Sequence, residues 1–213
     1  MPCCTRTALS TPDAEENPMQ IPSARTLIAA VAAGLVATSA FAMTPAEHKA
    51  AKDSIEATYK ADKEKCDALT ANAKDICQKE AKGKEKVAQA ELEAQYKPSP
   101  RNTQKVAEAR ADAAYEVAKE KCDDLKGNEK DVCEKDAKAA RVKAKADAKV
   151  AAVQAKPADN PAEKAADVAE ARKDANAEKN DANYQAAKER CDALSGNAKS
   201  ACVDDIKRMY GKS

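Results

Sequence analysis

Six cysteines stand in three pairs of one spacing: Cys66/Cys77, Cys122/Cys133 and Cys191/Cys202, each with ten residues between the partners. Each pair sits inside a longer repeated segment. The three copies are Tyr59–Lys82 (YKADKEKCDALTANAKDICQKEAK), Tyr115–Lys138 (YEVAKEKCDDLKGNEKDVCEKDAK) and Tyr184–Lys207 (YQAAKERCDALSGNAKSACVDDIK). A tyrosine precedes each first cysteine by seven positions, at Tyr59, Tyr115 and Tyr184, and a leucine follows it by three, at Leu69, Leu125 and Leu194. Chance does not produce this register three times, so the chain is read as three copies of one structural unit.

Within each copy the pattern reads as a helical hairpin. Ala111, Tyr115, Ala118, Cys122 and Leu125 recur at steps of three and four, one stripe on one helix face. Gly127-Asn128 and Gly196-Asn197 then mark turns. Glycine readily takes the left-handed backbone that ends a helix, and asparagine is a good N-cap for the next one. Asn72 takes the same place in the first copy, but Ala71 replaces the glycine, which weakens the turn signal there. Asp75 and Asp131 lie where their charge favours a helix N-terminus.

The cysteine chemistry follows from this geometry. On one continuous helix, residues eleven apart lie about 16 Å apart, whereas a disulfide needs Cα atoms within about 7 Å. A turn at the midpoint brings the two cysteines face to face across antiparallel helices. Three disulfides within hairpins are therefore expected: Cys66–Cys77, Cys122–Cys133 and Cys191–Cys202. Six cysteines allow fifteen pairings, so spacing alone does not fix the connectivity. A zinc site would usually place cysteines two to four residues apart with histidines, and the only histidine is His48. Redox-active thiols are the other alternative, because the Lys or Arg beside each first cysteine can lower a thiol pKa.

Composition decides what surrounds the tips. From residue 43 onward 41 of 171 residues are alanine, against 18 Leu, Ile, Val, Met and Phe together. Alanine buries little apolar area, so a large globular core is excluded. Abundant Ala, Lys, Glu and Asp with little Gly leaves long helices or disorder, and the repeat favours helices. The proline-bearing segments 97–103 (KPSPRNT) and 156–161 (KPADNP) divide the chain into modules 44–96, 104–155 and 162–211. Thr103 is a candidate cap for the helix after the first break. The expected fold is all-α: three disulfide-stapled antiparallel hairpins, about six helices, elongated or loosely bundled, with flexible Pro linkers. Tyr96 and Tyr210, outside the tyrosine register, read as packing residues. Residues 135–156 carry net +5 and residues 159–183 net −3, which favours pairing if the chain folds back at Pro157–Pro161.

The N-terminal segment points to export. Residues 26–42 (TLIAAVAAGLVATSAFA) are apolar and uncharged, follow Arg25 and end in Ala40-Phe41-Ala42. Small residues at the last and third-last positions suit signal peptidase, so cleavage is expected between Ala42 and Met43, with residues 19–42 as the signal peptide. The run is slightly short of the about 20 residues that span a bilayer, so an inner-membrane anchor is the lesser alternative. Residues 1–18 carry Asp13, Glu15 and Glu16, unlike a basic signal n-region, and read as an upstream extension before a start at Met19. The expected location is the periplasm, with no membrane span after cleavage. An oxidising compartment suits the paired cysteines.

No catalytic constellation is recognisable: His48 stands alone and reads as a surface residue, and neither GxGxxG nor GxxxxGK occurs after residue 43. No enzyme activity, cofactor or metal is expected. Near-neutral net charge argues against nucleic acid as partner. The arm AARVKAKADAKVAAVQAK resembles, in composition, the periplasm-spanning middle region of TolA-type envelope proteins, and this resemblance implies a helical spacer of the envelope. YEVAKEKC and NYQAAKERC resemble pieces of late-embryogenesis-abundant stress proteins, which implies protection under dehydration or osmotic stress. The expected role is a non-enzymatic structural or stress-protective one in the envelope. The alternatives are a repeat module whose tips bind an envelope partner or peptidoglycan, and a thiol–disulfide redox protein.

Overall fold

The computed structural model describes residues 43–212. The expected upstream extension, signal peptide and Ala42 lie outside the described residues; Met43 is half-buried beside the first helix. Six α-helices follow in order: α1 Pro45–Cys66, α2 Ala71–Tyr96, α3 Pro100–Cys122, α4 Gly127–Ala155, α5 Pro161–Arg190 and α6 Gly196–Tyr210. A single 3₁₀ turn at Cys191–Ala193 finishes α5. Among the described residues no strand is present. The three expected hairpins are α1–α2, α3–α4 and α5–α6.

The first helix of every hairpin starts in one way. Thr44, Ser99 and Asn160 each adopt extended backbone as N-cap, and Pro45, Pro100 and Pro161 follow. A proline at the first helical position loses only an N–H that would be unpaired anyway, and its φ is already helical. Thr44 and Glu47 form a reciprocal capping box: the Glu47 N–H donates to Thr44 Oγ1 at 3.2 Å and the Thr44 N–H to Glu47 Oε2 at 2.8 Å. The Ser99 hydroxyl accepts from the Asn102 N–H at 3.1 Å. This corrects the expected cap at Thr103, which lies inside α3. The prolines therefore start helices, and the breaks shrink to residues 97–99 and 156–160.

The helices run up and down in one row. Substantial packing joins only sequence neighbours, α1 with α2 through to α5 with α6. With so few large apolar side chains, the packing surface is built from small ones. The buried residues include Ala81, Ala111, Ala139, Ala146, Ala148, Ala152, Ala175 and Ala186, with Leu92 the one large aliphatic among them. At Gly83 the backbones of α2 and α3 approach so closely that an added Cβ would stand 2.8 Å from the Ala113 Cβ. Alanine combines this small volume with the highest helix propensity, so long arms form without a deep core.

Charged pairs border the packed faces. Asp112 on α3 accepts from Arg141 Nε at 2.5 Å and Lys145 Nζ at 3.1 Å on α4. Burial pushes the Asp112 carboxyl up, but these two cations outweigh it and hold the group below its ordinary value. The opposite charges of α4 and α5 do meet: Lys149 pairs with Glu178 at 2.7 Å, and Lys179 with Asp147. Individually, such partly exposed pairs contribute little, about 0–1 kcal/mol each.

Candidate functional site

The three tips are built alike. The first helix ends at Cys66, at Cys122, or in the 3₁₀ turn from Cys191. A tight bend follows, and the second helix returns. Disulfides join Cys66–Cys77, Cys122–Cys133 and Cys191–Cys202, with Cα separations of 5.6, 5.7 and 5.7 Å. The connectivity is the one expected. Each first cysteine is fully buried, so the staple doubles as the core of the tip.

Left-handed backbone occurs at the start of each returning helix, with φ of 51° at Ala71, 56° at Gly127 and 55° at Gly196. The first copy thus makes the same turn as the others despite lacking glycine. Gly127 and Gly196 were expected to end the outgoing helix. Instead Asp67, Asp123 and Cys191 cap it in ordinary right-handed backbone, and the glycines open the next helix.

Asn72 and Asn128 also require correction, because neither is an N-cap. Thr70, Lys126 and Ser195 occupy that position, without side-chain caps. Asn72 Nδ2 instead donates to the Glu120 carbonyl at 3.0 Å, and Asn128 Nδ2 to the Glu189 carbonyl at 2.9 Å. Both acceptors belong to the next hairpin, and both donors are half-buried. Asn197, at the same place in the third copy, is exposed and has no such acceptor among the described residues. Nor do Asp75 and Asp131 fall in the first helical turn; Glu129 is the one acid there in α4, and α2 has none.

Two more elements of the joint recur in register. Thirteen residues after the first cysteine, Lys79 reaches Glu120 at 3.6 Å and Lys135 reaches Glu189 at 3.7 Å. Further along, Glu91 pairs with Arg110 at 2.6 Å and Asp147 with Lys179. Measured from their own cysteines, these residues occupy equivalent positions. Because both asparagines lie at tips, the joint also places all three tips along one edge of the row.

That edge presents a repeated surface. The leucine of each tip was expected on the packed stripe, but it lies past the helix end: Leu69, Leu125 and Leu194 are 41%, 38% and 43% exposed. Beside each, the aspartate after the first cysteine pairs across the bend with a lysine: Asp67–Lys74 at 2.9 Å, Asp123–Lys130 at 2.6 Å and Asp192–Lys199 at 2.8 Å. The Lys130 hydrogen bond holds the Asp123 carboxyl below its ordinary range, and Lys199 does the same for Asp192. Sequence reading missed this pair, although its signal was present as an Asp after each first cysteine and a Lys two residues after each asparagine.

The tyrosines face cations rather than a shared site. Lys82 lies 4.8 Å from the ring centre of Tyr59, Arg141 4.9 Å from that of Tyr115 and Lys212 5.9 Å from that of Tyr184. His48 is not a free surface residue. Its ring stacks on Tyr96 at 4.3 Å and its Nε2 lies 2.9 Å from Glu93 Oε1, which fastens the start of α1 to the end of α2. Tyr210 meets Tyr184 edge to face at 6.1 Å. Among the described residues, no group of three or more His, Cys, Asp or Glu could hold a metal ion, and no helix is long and apolar enough to cross a membrane.

Fold and tips together define a class: an all-α array of disulfide-stapled helical hairpins joined through a repeated interface. Comparison with protein-family models, curated proteins and solved structures returned no match.

Proposed function

We propose that this chain is a non-enzymatic helical-repeat protein of the bacterial periplasm, with a structural or stress-protective role exerted through its surface. The observation that carries the reading is the repeated joint: Asn to backbone carbonyl and Lys to Glu, in one register at both internal junctions. Repeat arrays assembled this way act through extended surfaces rather than enclosed pockets. The three disulfides are compatible with an oxidising compartment, and the apolar run before Met43 supports export. In a strain lacking the protein, envelope integrity or tolerance to osmotic stress is expected to fall. Unchanged tolerance across osmotic, detergent and desiccation challenge would overturn the reading.

A second reading is favoured by the exposed leucines. Three tips on one edge, each with a leucine beside an Asp–Lys pair, form a repeated recognition surface for an envelope protein or for peptidoglycan. With helices 8–10 Å apart, successive tips are spaced about 16–20 Å, a period suited to a partner that itself repeats. Replacing Leu69, Leu125 and Leu194 together by Ser should abolish co-sedimentation with envelope fractions. Retained binding would remove the reading.

A further inference from the structure

The joint that links successive hairpins has a donor face and an acceptor face. The donor face is a stripe on the second helix. Counted from its first cysteine, it carries Asn at six, Lys at thirteen and a very small residue at seventeen: Asn72, Lys79 and Gly83 on α2, and Asn128, Lys135 and Ala139 on α4. The acceptor face on the following first helix presents the Glu120 or Glu189 carbonyl and carboxylate, and Ala113 or Ala182 nine residues before the cysteine. At the two ends of the row, among the described residues, one face of each kind is left over. The outer face of α1 keeps the acceptor pattern, with Glu64 and Ala57, both exposed.

The outer face of α6 keeps only part of the donor pattern. Asn197 is retained, and Asp205, at the position where Asp136 pairs with Arg190 at 2.7 Å, pairs instead with Arg208 of its own helix. The other two positions are changed. Asp204 replaces the lysine, and Arg208 replaces the glycine or alanine; both are exposed. If the α1 face of a second copy docked here, Asp204 would meet Glu64, carboxylate against carboxylate, where each internal joint sets Lys against Glu. Arg208 would enter the contact at which even a Cβ added to Gly83 stands 2.8 Å from Ala113.

We infer that α6 is a built end-stop: Asp204 and Arg208 exclude the α1 face of a second copy and so prevent head-to-tail growth. Such growth would be head-to-tail, because the two faces are different patches, and it would give rings or open filaments according to the rotation per copy. Like charge opposes association at one contact and excess volume at another, and only the first weakens as salt rises.

The experiment restores the missing pattern. The full-length oxidised chain carrying Asp204→Lys and Arg208→Ala is compared with wild type by sedimentation velocity over a hundredfold concentration range. The expected result is a concentration-dependent series beyond the dimer for the double variant and one monomeric species for wild type. Adding Glu64→Lys should return the double variant to monomer, which separates the joint from unspecific aggregation. A double variant that stays monomeric with helicity and disulfides intact overturns the inference, as does an assembly insensitive to Glu64→Lys. If the double variant does not fold, the reciprocal change decides. Lys135→Asp with Ala139→Arg transplants the stop into the internal joint and should raise proteolytic cleavage in residues 156–160 at least tenfold. Unchanged cleavage there also overturns it.

Discussion

Ala71 is the informative residue at the first tip, because it holds a left-handed backbone that glycine holds in the other two copies. Its φ of 51° matches 56° at Gly127 and 55° at Gly196, so the perturbation is a one-atom exchange in a fixed turn. An L-residue in this region costs roughly 1–2 kcal/mol. Glycine removes that cost but adds conformational freedom to the unfolded chain, a penalty of about 0.4–1 kcal/mol. Ala71→Gly should therefore stabilise the protein by about 0.5–1 kcal/mol, which for a chain of this size moves Tm by about 2–4 °C per kcal/mol. Gly127→Ala and Gly196→Ala should destabilise by a similar amount. Nothing lies within 4 Å of a Cβ placed at either glycine, so the cost there is backbone strain without steric overlap. Urea denaturation of the oxidised proteins, followed by circular dichroism, gives all three values. If Ala71→Gly destabilises, or if the two Gly→Ala changes are neutral, the shared left-handed turn is not what sets the tip.

The remaining expectations concern the joint, the staples and acid. Asn72→Ala and Asn128→Ala should each cost about 0.5–1.5 kcal/mol, while Asn197→Ala, exposed and without an acceptor, should be neutral in the same assay; equal losses at all three would return the asparagines to a local role. Replacing Cys122 and Cys133 together by Ser should cost about 2–4 kcal/mol, and mass mapping of non-reduced peptides should find no bridge between hairpins. The Asp123 and Asp192 carboxyls should titrate below the ordinary aspartate range by NMR, with Lys130→Met returning Asp123 to it. A lowered folded-state pKa means that the contribution of each pair is present above the unfolded-state pKa and is lost as pH falls through the folded value. The tips should accordingly loosen only in strong acid.

The hairpins and their staples could be read from the chain because their signals are local. Ten residues between cysteines with a turn signal at the midpoint point to a hairpin, and the disulfides join the pairs that such a hairpin brings together. The role of the asparagines was not legible in the same way. Within its own copy, Asn128 looks like a cap, and its acceptor at Glu189 is 61 residues away. The Lys79–Glu120 and Glu91–Arg110 pairs were hidden for the same reason: in helices this rich in charge, the partners are chosen by the packing of one hairpin on the next. The proline segments were read as interruptions because proline cannot continue a helix, yet Ser99-Pro100 and Asn160-Pro161 start one. The leucines were assigned to a stripe that the helix no longer supplies, since α1 and α3 end at the cysteine three residues earlier.

Covalent closure along a single rim also governs how such a row would respond to tension. Pulled from its two ends, the polypeptide cannot lengthen through the stapled bends. Length can come only from the stretches outside the stapled bends, namely the two terminal arms and the segments between staples. The 45 chain steps from Cys77 to Cys122 would span about 150 Å when fully extended, and the 58 from Cys133 to Cys191 about 200 Å. At the opposite rim residues 97–99 and 156–160 join successive hairpins through the chain itself, while within a hairpin the helix ends there are held by non-covalent contacts such as the His48–Tyr96 stack. The row should therefore come apart hairpin by hairpin, with each stapled bend staying closed while successive tips separate, and yield under load in a few discrete steps.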